Sequence, residues 1–166
     1  MAEPNPKELF DQGKEILDFA VSGGGGAFRG DSLEAKKYYI QAKEYFEKAC
    51  NLNYAKGCVS LGGLYEGENL VIRREPRLKK RLEKAIQYYS KACDLNDKFG
   101  CSKLGAMQYI GKGVVKNEKQ AMEKFEKACK LGKQEACEIF SLEVLCESSD
   151  QKACDMSYDK KKALGF

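Results

Sequence analysis

The 166-residue chain has no histidine and no tryptophan, and only three prolines. Without histidine it lacks the commonest general base and the commonest metal ligand, so imidazole-centred catalysis and His-type zinc sites are excluded. No stretch approaches the roughly 20 apolar residues of a membrane-spanning helix. The four consecutive glycines at 23–26 are followed by neither Gly-Lys-Ser nor Gly-Lys-Thr, so they read as a flexible loop and not as a phosphate-binding loop. Nor does charge of one sign dominate: 29 Lys and Arg stand against 25 Asp and Glu, a net +4 with acids in every segment, which argues against nucleic acid as a partner.

Cysteine, by contrast, is abundant and ordered. Eight residues form four pairs, Cys50 with Cys58, Cys93 with Cys101, Cys129 with Cys137 and Cys146 with Cys154, each eight positions apart. On one continuous helix such positions lie about 12 Å apart, beyond the roughly 7 Å Cα separation a disulfide tolerates, so the chain must turn back inside each pair. Eight cysteines allow 105 pairings, but the repeated spacing selects four local bridges. Zinc is the competing reading; with no Cys-x-x-Cys, a thiolate cage would need ligands from two hairpins. Even cysteine usage at fixed spacing points to an oxidising compartment.

The first three pairs sit in an internal repeat. Ala42, Ala85 and Ala121 lie eight residues before the first cysteine, and Phe46, Tyr89 and Phe125 four before it. Leu52, Leu95 and Leu131 follow it, while Gly57, Gly100 and Ala136 precede the second cysteine. The step is 36 residues from Cys93 to Cys129 and 43 from Cys50 to Cys93, so seven residues are inserted after the first repeat. Periods of this size in helical segments predict a solenoid of stacked helix hairpins.

The segment 84–105, from Lys84-Ala85-Ile86-Gln87-Tyr88-Tyr89 to Cys101-Ser102-Lys103-Leu104-Gly105, closing on Gly111-Lys112-Gly113-Val114, resembles the Sel1-like repeat, a relative of the tetratricopeptide repeat. With its cysteines the chain resembles the secreted Helicobacter cysteine-rich proteins. The resemblance covers roughly residues 31–145, and residues 2–9 look like a mature start in that family. It implies an all-α fold, a right-handed superhelix of disulfide-stapled helix-turn-helix repeats. The expected organisation is an N-terminal capping helix and Gly-rich loop at 1–30, repeat 1 at 31–67, an inserted basic connection at 68–79, repeat 2 at 80–116, repeat 3 at 117–146 and a C-terminal capping helix at 147–166. The fourth cysteine pair stands out of register with the other three.

Within that frame, first-helix residues beside the core face mark a candidate groove. Tyr45 and Lys48 in repeat 1, Arg81, Lys84 and Tyr88 in repeat 2, and Lys124 in repeat 3 fall on one stripe at 100° per residue. In proteins of this architecture the first helices line the concave side. The groove is expected to be cationic with tyrosine faces, suited to a peptide, a peptidoglycan-type fragment or a host protein; a solvated lysine-rich face is the alternative. Exposed rings favour the groove, since solubility alone does not require them.

The resemblance also implies an enzymatic alternative, penicillin binding with weak β-lactamase activity. Serine β-lactamases carry Ser-x-x-Lys with two partner motifs. Ser149-Asp150-Gln151-Lys152 and Ser157-Tyr158-Asp159-Lys160 match the first element, the partner motifs are absent, and no catalytic residue is assigned. No cofactor and no metal are expected. The chain is expected to be a monomer without membrane insertion, exported to a periplasmic or extracellular space, with Met1 an added initiator on a mature sequence.

Overall fold

The turn between the two members of each cysteine pair is built the same way four times. Three residues after the first cysteine, Asn53, Asn96, Gly132 and Ser149 adopt φ values of 62°, 63°, 99° and 73°. The next residue then donates its N–H to a carbonyl five residues back: Tyr54 to Ala49, Asp97 to Ala92, Lys133 to Ala128 and Asp150 to Leu145, at 3.0, 3.0, 2.9 and 3.2 Å. The left-handed residue itself donates to the carbonyl of the cysteine, at 2.9 Å in every case. This pair of bonds satisfies helix-end carbonyls and reverses the chain. The reversal brings the cysteine Cα atoms to between 4.4 and 4.6 Å, and all eight cysteines are joined in the four local bridges.

The computed structural model describes residues 4–22, 33–67 and 75–163. Among them are eight helices: α1 (Pro6–Val21), α2 (Leu33–Asn51), α3 (Ala55–Gly67), α4 (Glu75–Asp94), α5 (Lys98–Ile110), α6 (Glu118–Lys130), α7 (Gln134–Glu147) and α8 (Gln151–Ala163). Each packs chiefly on its neighbours in sequence. The architecture is the all-α right-handed superhelix of disulfide-stapled helix-turn-helix repeats. The Gly-rich loop and residues 68–74 of the inserted basic connection lie outside the described residues.

Helix starts follow local chemistry. Asn5, Asp97 and Asn117 each turn a side-chain oxygen onto a first-turn N–H that has no helical partner, at 2.9, 2.9 and 3.0 Å. Asp150 does the same for Ala153 at 3.1 Å. Helix α4 begins at Glu75, inside the stretch expected to be connection. Pro76 sits in its first turn, where the missing N–H is not needed and the fixed φ suits a helix, so this proline opens α4.

Stacking of repeats rests on a glycine and an aromatic ring. Phe46, Tyr89 and Phe125 are buried to 1% exposure or less. Each lies on a glycine of the preceding repeat unit: a Cβ placed on Gly13, Gly62 or Gly105 would come within 2.8, 2.7 or 3.2 Å of the ring. Burying one such ring contributes about 2–3 kcal/mol, and only a residue without a side chain lets the helices approach that far. By this contact α1 plays the part of a return helix toward α2. Ala42, Leu61, Ala85, Leu104, Ala121 and Ile139 complete one continuous core.

Candidate functional site

The expected groove residues fall into smaller groups. Tyr45, Tyr88 and Lys124 occupy one position in three successive first helices, by the 43- and 36-residue steps. Tyr88 lies on Tyr65 of α3, with ring centroids 5.6 Å apart and planes 17° from parallel. Lys84 Nζ stands 5.3 Å and Lys43 Nζ 4.6 Å from the Tyr65 centroid. Burial first, then the neighbouring Tyr65 and Glu47, push the Tyr88 hydroxyl above its ordinary range. Tyr65 is 8% exposed. It is thus the hub of a patch with the Tyr88 ring stacked on it and two ammonium groups attracted to its π cloud.

The other members stand in different surroundings. Tyr45 is half-buried beside Gly13 of α1, and Lys48 Nζ lies 5.7 Å from its ring centroid. Arg81 reaches back and donates from Nη2 to the Tyr65 carbonyl at 3.2 Å, tying α4 to the end of α3. Lys124 packs its Cβ against Gly105 of α5. Lys84 and Tyr88 are therefore brought together, Tyr45 and Lys48 form a second pair one repeat away, and Arg81 serves as an anchor beneath the first group.

Sequence reasoning overlooked Tyr65 and Glu66 because it considered only the first helices. Glu66 is the chemical centre of the repeat 1–repeat 2 junction. Its Oε2 accepts from the Tyr89 hydroxyl at 2.7 Å, Lys112 Nζ lies 3.0 Å from Oε1, and Lys103 Nζ lies 3.8 Å from Oε2. Burial alone would raise its carboxyl pKa; the Tyr89 hydrogen bond and the two lysines outweigh that and hold it below the ordinary value. Burial, the bond to Glu66 and its negative charge all push the Tyr89 hydroxyl upward, so it remains a donor. The signal was present in the repeat itself, since Tyr89 replaces Phe46 and Phe125 and its extra hydroxyl needs a buried acceptor.

The two Ser-x-x-Lys segments are arranged differently. Ser149 is exposed at the left-handed turn position and Lys152 is exposed on α8. Ser157 is buried at 1% exposure and donates to the Glu143 carboxylate, while Lys160 pairs with Glu138. Serine activation by lysine needs the amine turned to the hydroxyl; here each is engaged with a different carboxylate of α7. Among the described residues no three His, Cys, Asp or Glu side chains are grouped to hold a metal ion, and no helix is long and apolar enough to cross a membrane.

A family model described as the Sel1 repeat matches residues 22–54, 78–97 and 99–133. Among curated proteins, the β-lactamase HcpA of Helicobacter pylori is 40% identical over 66 residues, covering 40% of this chain and 20% of that protein. The putative β-lactamase HcpC of the same species is 44% identical over 65 residues, covering 39% of this chain and 17% of its own length. The chain thus matches only about a fifth of the length of these curated relatives. Among solved structures, Helicobacter pylori cysteine rich protein B is 38% identical with a TM-score of 0.52, over 81% of this chain and 96% of that one. A Sel1 repeat protein from Oxalobacter formigenes, 22% identical with a TM-score of 0.62 over 83% of this chain and 49% of that one, shares the fold.

Proposed function

This chain belongs to the Sel1 repeat family, and we propose that it is a binding scaffold that takes a peptide, a peptidoglycan-type fragment or a host protein on its first-helix face. The observation that carries the reading is the Tyr65–Tyr88 stack with Lys43 and Lys84 beside it. Aromatic faces pack against apolar parts of a ligand while the ammonium groups draw its carboxylates. Four disulfides support work in an oxidising space outside the cytoplasm, as a periplasmic or secreted protein. Tyr45 and Lys48, one repeat away, would extend the same surface toward α1, and Lys124 toward α6.

The test is titration of a fluorescein-labelled anionic muropeptide or acidic peptide, read by anisotropy. Tyr88→Ala and Lys84→Glu are each expected to weaken binding about tenfold with helix content unchanged. The lysine effect should shrink as salt rises, because exposed charges are screened over about 10 Å at 0.1 M; the tyrosine effect should persist. Ser149→Ala and Lys152→Ala are the matched controls. If they abolish β-lactam turnover while the groove variants leave binding intact, the scaffold reading fails and the activity named for HcpA becomes the better one.

A further inference from the structure

A concavity runs along the return helices, on residues that the first-helix surface does not use. It has a volume of about 320 Å³ and is walled by α3, α5 and the start of α7. Its floor is apolar: Val59, Ala106 and Met107 lie between two exposed side chains, Phe99 at 47% and Ile110 at 42%. Eleven residue steps along α5 separate those two, a run of about 16 Å at 1.5 Å per residue. At about 3.3 Å per residue, that length accommodates some five residues of extended chain.

The polar walls define which ligand suits it. Glu66 is already engaged by Tyr89, Lys112 and Lys103, and Glu135 pairs with Lys133 Nζ at 3.3 Å. Three lysines therefore face two carboxylates, both already paired, which leaves the groove a surplus of one positive charge. Each ammonium carries three N–H donors and no acceptor, so it can donate further bonds to a ligand. Lys133 and Lys98 also stand 4.7 and 5.5 Å from the Phe99 centroid, holding positive charge over the one exposed ring in the groove. We infer that this return-helix groove is a docking site for an extended acidic peptide segment of about five residues with an apolar side chain at its centre. The apolar side chain lies on Met107 and Ala106 against Phe99, and the flanking carboxylates meet Lys103 and Lys112 at one end and Lys133 at the other. The inference is independent of the first-helix reading, since the two surfaces share no side chain.

The experiment uses the oxidised full chain and a fluorescein-labelled pentapeptide, Asp-Asp-Phe-Asp-Asp, with Lys-Lys-Phe-Lys-Lys and Asp-Asp-Ala-Asp-Asp as comparisons, at 50 mM salt. The acidic phenylalanine peptide is expected to bind at least tenfold more tightly than either comparison. Combining Lys103→Gln with Lys133→Gln should weaken it about tenfold, and Phe99→Ser about fivefold; all three residues lie outside the buried core, and an unchanged circular dichroism spectrum will show that the variants fold. Amide shift perturbations in the unmodified protein should cluster at Val59, Phe99, Ser102, Ala106 and Ile110. Absence of binding up to millimolar peptide, equal affinity for the cationic peptide, or indifference to the lysine variants would overturn the inference. Perturbations centred on Lys84 and Tyr88 would overturn it too, while favouring the first-helix surface.

Discussion

Replacing Glu66 with alanine removes one side chain and leaves three groups without their partner. The Tyr89 hydroxyl is the most costly, because it belongs to a residue only 1% exposed and donates at 2.7 Å. A buried donor left unsatisfied costs about 1–3 kcal/mol. The Lys112 bond, at 3.0 Å and partly screened, adds roughly 1 kcal/mol. Lys103, at 3.8 Å with its side chain more than half exposed, adds little. The expected loss is about 3 kcal/mol, or about 6–12 °C in Tm for a chain of this length. Urea unfolding followed by circular dichroism measures it without the screening that guanidinium would introduce. If the orphaned hydroxyl dominates, Glu66→Ala in a Tyr89→Phe background should cost only about 1 kcal/mol. Equal costs in the two backgrounds would refute the reasoning, since a double-mutant cycle isolates the pairwise term.

The same carboxylate makes a signed prediction for pH. Its folded pKa is depressed below the ordinary carboxyl value of 4.5. Its contribution is therefore fully present above that value and is lost as pH falls through the folded pKa. Glu66→Gln keeps an oxygen for the Tyr89 hydroxyl but has no charge to titrate. The unmodified protein should be the more stable of the two at pH 7, with the gap closing below pH 4.5. A gap that stays constant down to pH 2 would count against this account.

Two further outcomes follow from the hairpin turns. Ser149 holds φ 73° at a position where the other turns carry asparagine or glycine; Ser149→Gly should stabilise the chain by up to about 1 kcal/mol in the same urea assay, and destabilisation would argue that the serine has another task. The bridges differ in exposure: Cys50, Cys58, Cys93 and Cys101 are buried to 1% or less, while Cys129, Cys137, Cys146 and Cys154 are half-buried. Limited reduction followed by alkylation and peptide mapping should label the last four first, because thiol–disulfide exchange needs access to sulfur; simultaneous labelling of all eight would contradict this.

How far the sequence was legible depended on whether a feature repeats. Helix hairpins and turn positions recur around cysteine pairs of one fixed spacing, so each copy reinforced the others, and the bridges formed where the eight-residue spacing placed them. Features that break the repeat were hard to see for the same reason. Tyr65 stands where repeat 2 carries Gln108, and Glu66 where it carries Tyr109; neither belongs to a pattern, so neither signalled a partner in the next hairpin. Their contacts, to Tyr88 and Tyr89, cross 23 positions and depend on how one hairpin stacks on the next. Helical periodicity assigns a residue to a face of its own helix, and says nothing of which neighbour covers that face.

The last cysteine pair shows where sequence register and structural register part. By sequence step it is displaced, since Cys146 lies 17 positions after Cys129 and not 36. In the structure its turn repeats the other three in both hydrogen bonds and in the left-handed residue. The explanation is that α7 serves two hairpins. Its start closes the third bridge at Cys137 and its end opens the fourth at Cys146, so a return helix becomes the first helix of the next reversal. In the other hairpins an alanine buried at the turn, Ala49, Ala92 or Ala128, accepts the five-residue bond; here Leu145 does so while 49% exposed. The terminal hairpin thus keeps the reversal and the covalent closure while giving up the packing of that position. A disulfide makes up the largest share of a hairpin's stability where buried surface is least, since a bridge across nine residues removes about 2.5 kcal/mol of unfolded-state entropy whatever the helices cover. At this hairpin the bridge holds α8 on α7 where the turn itself buries little.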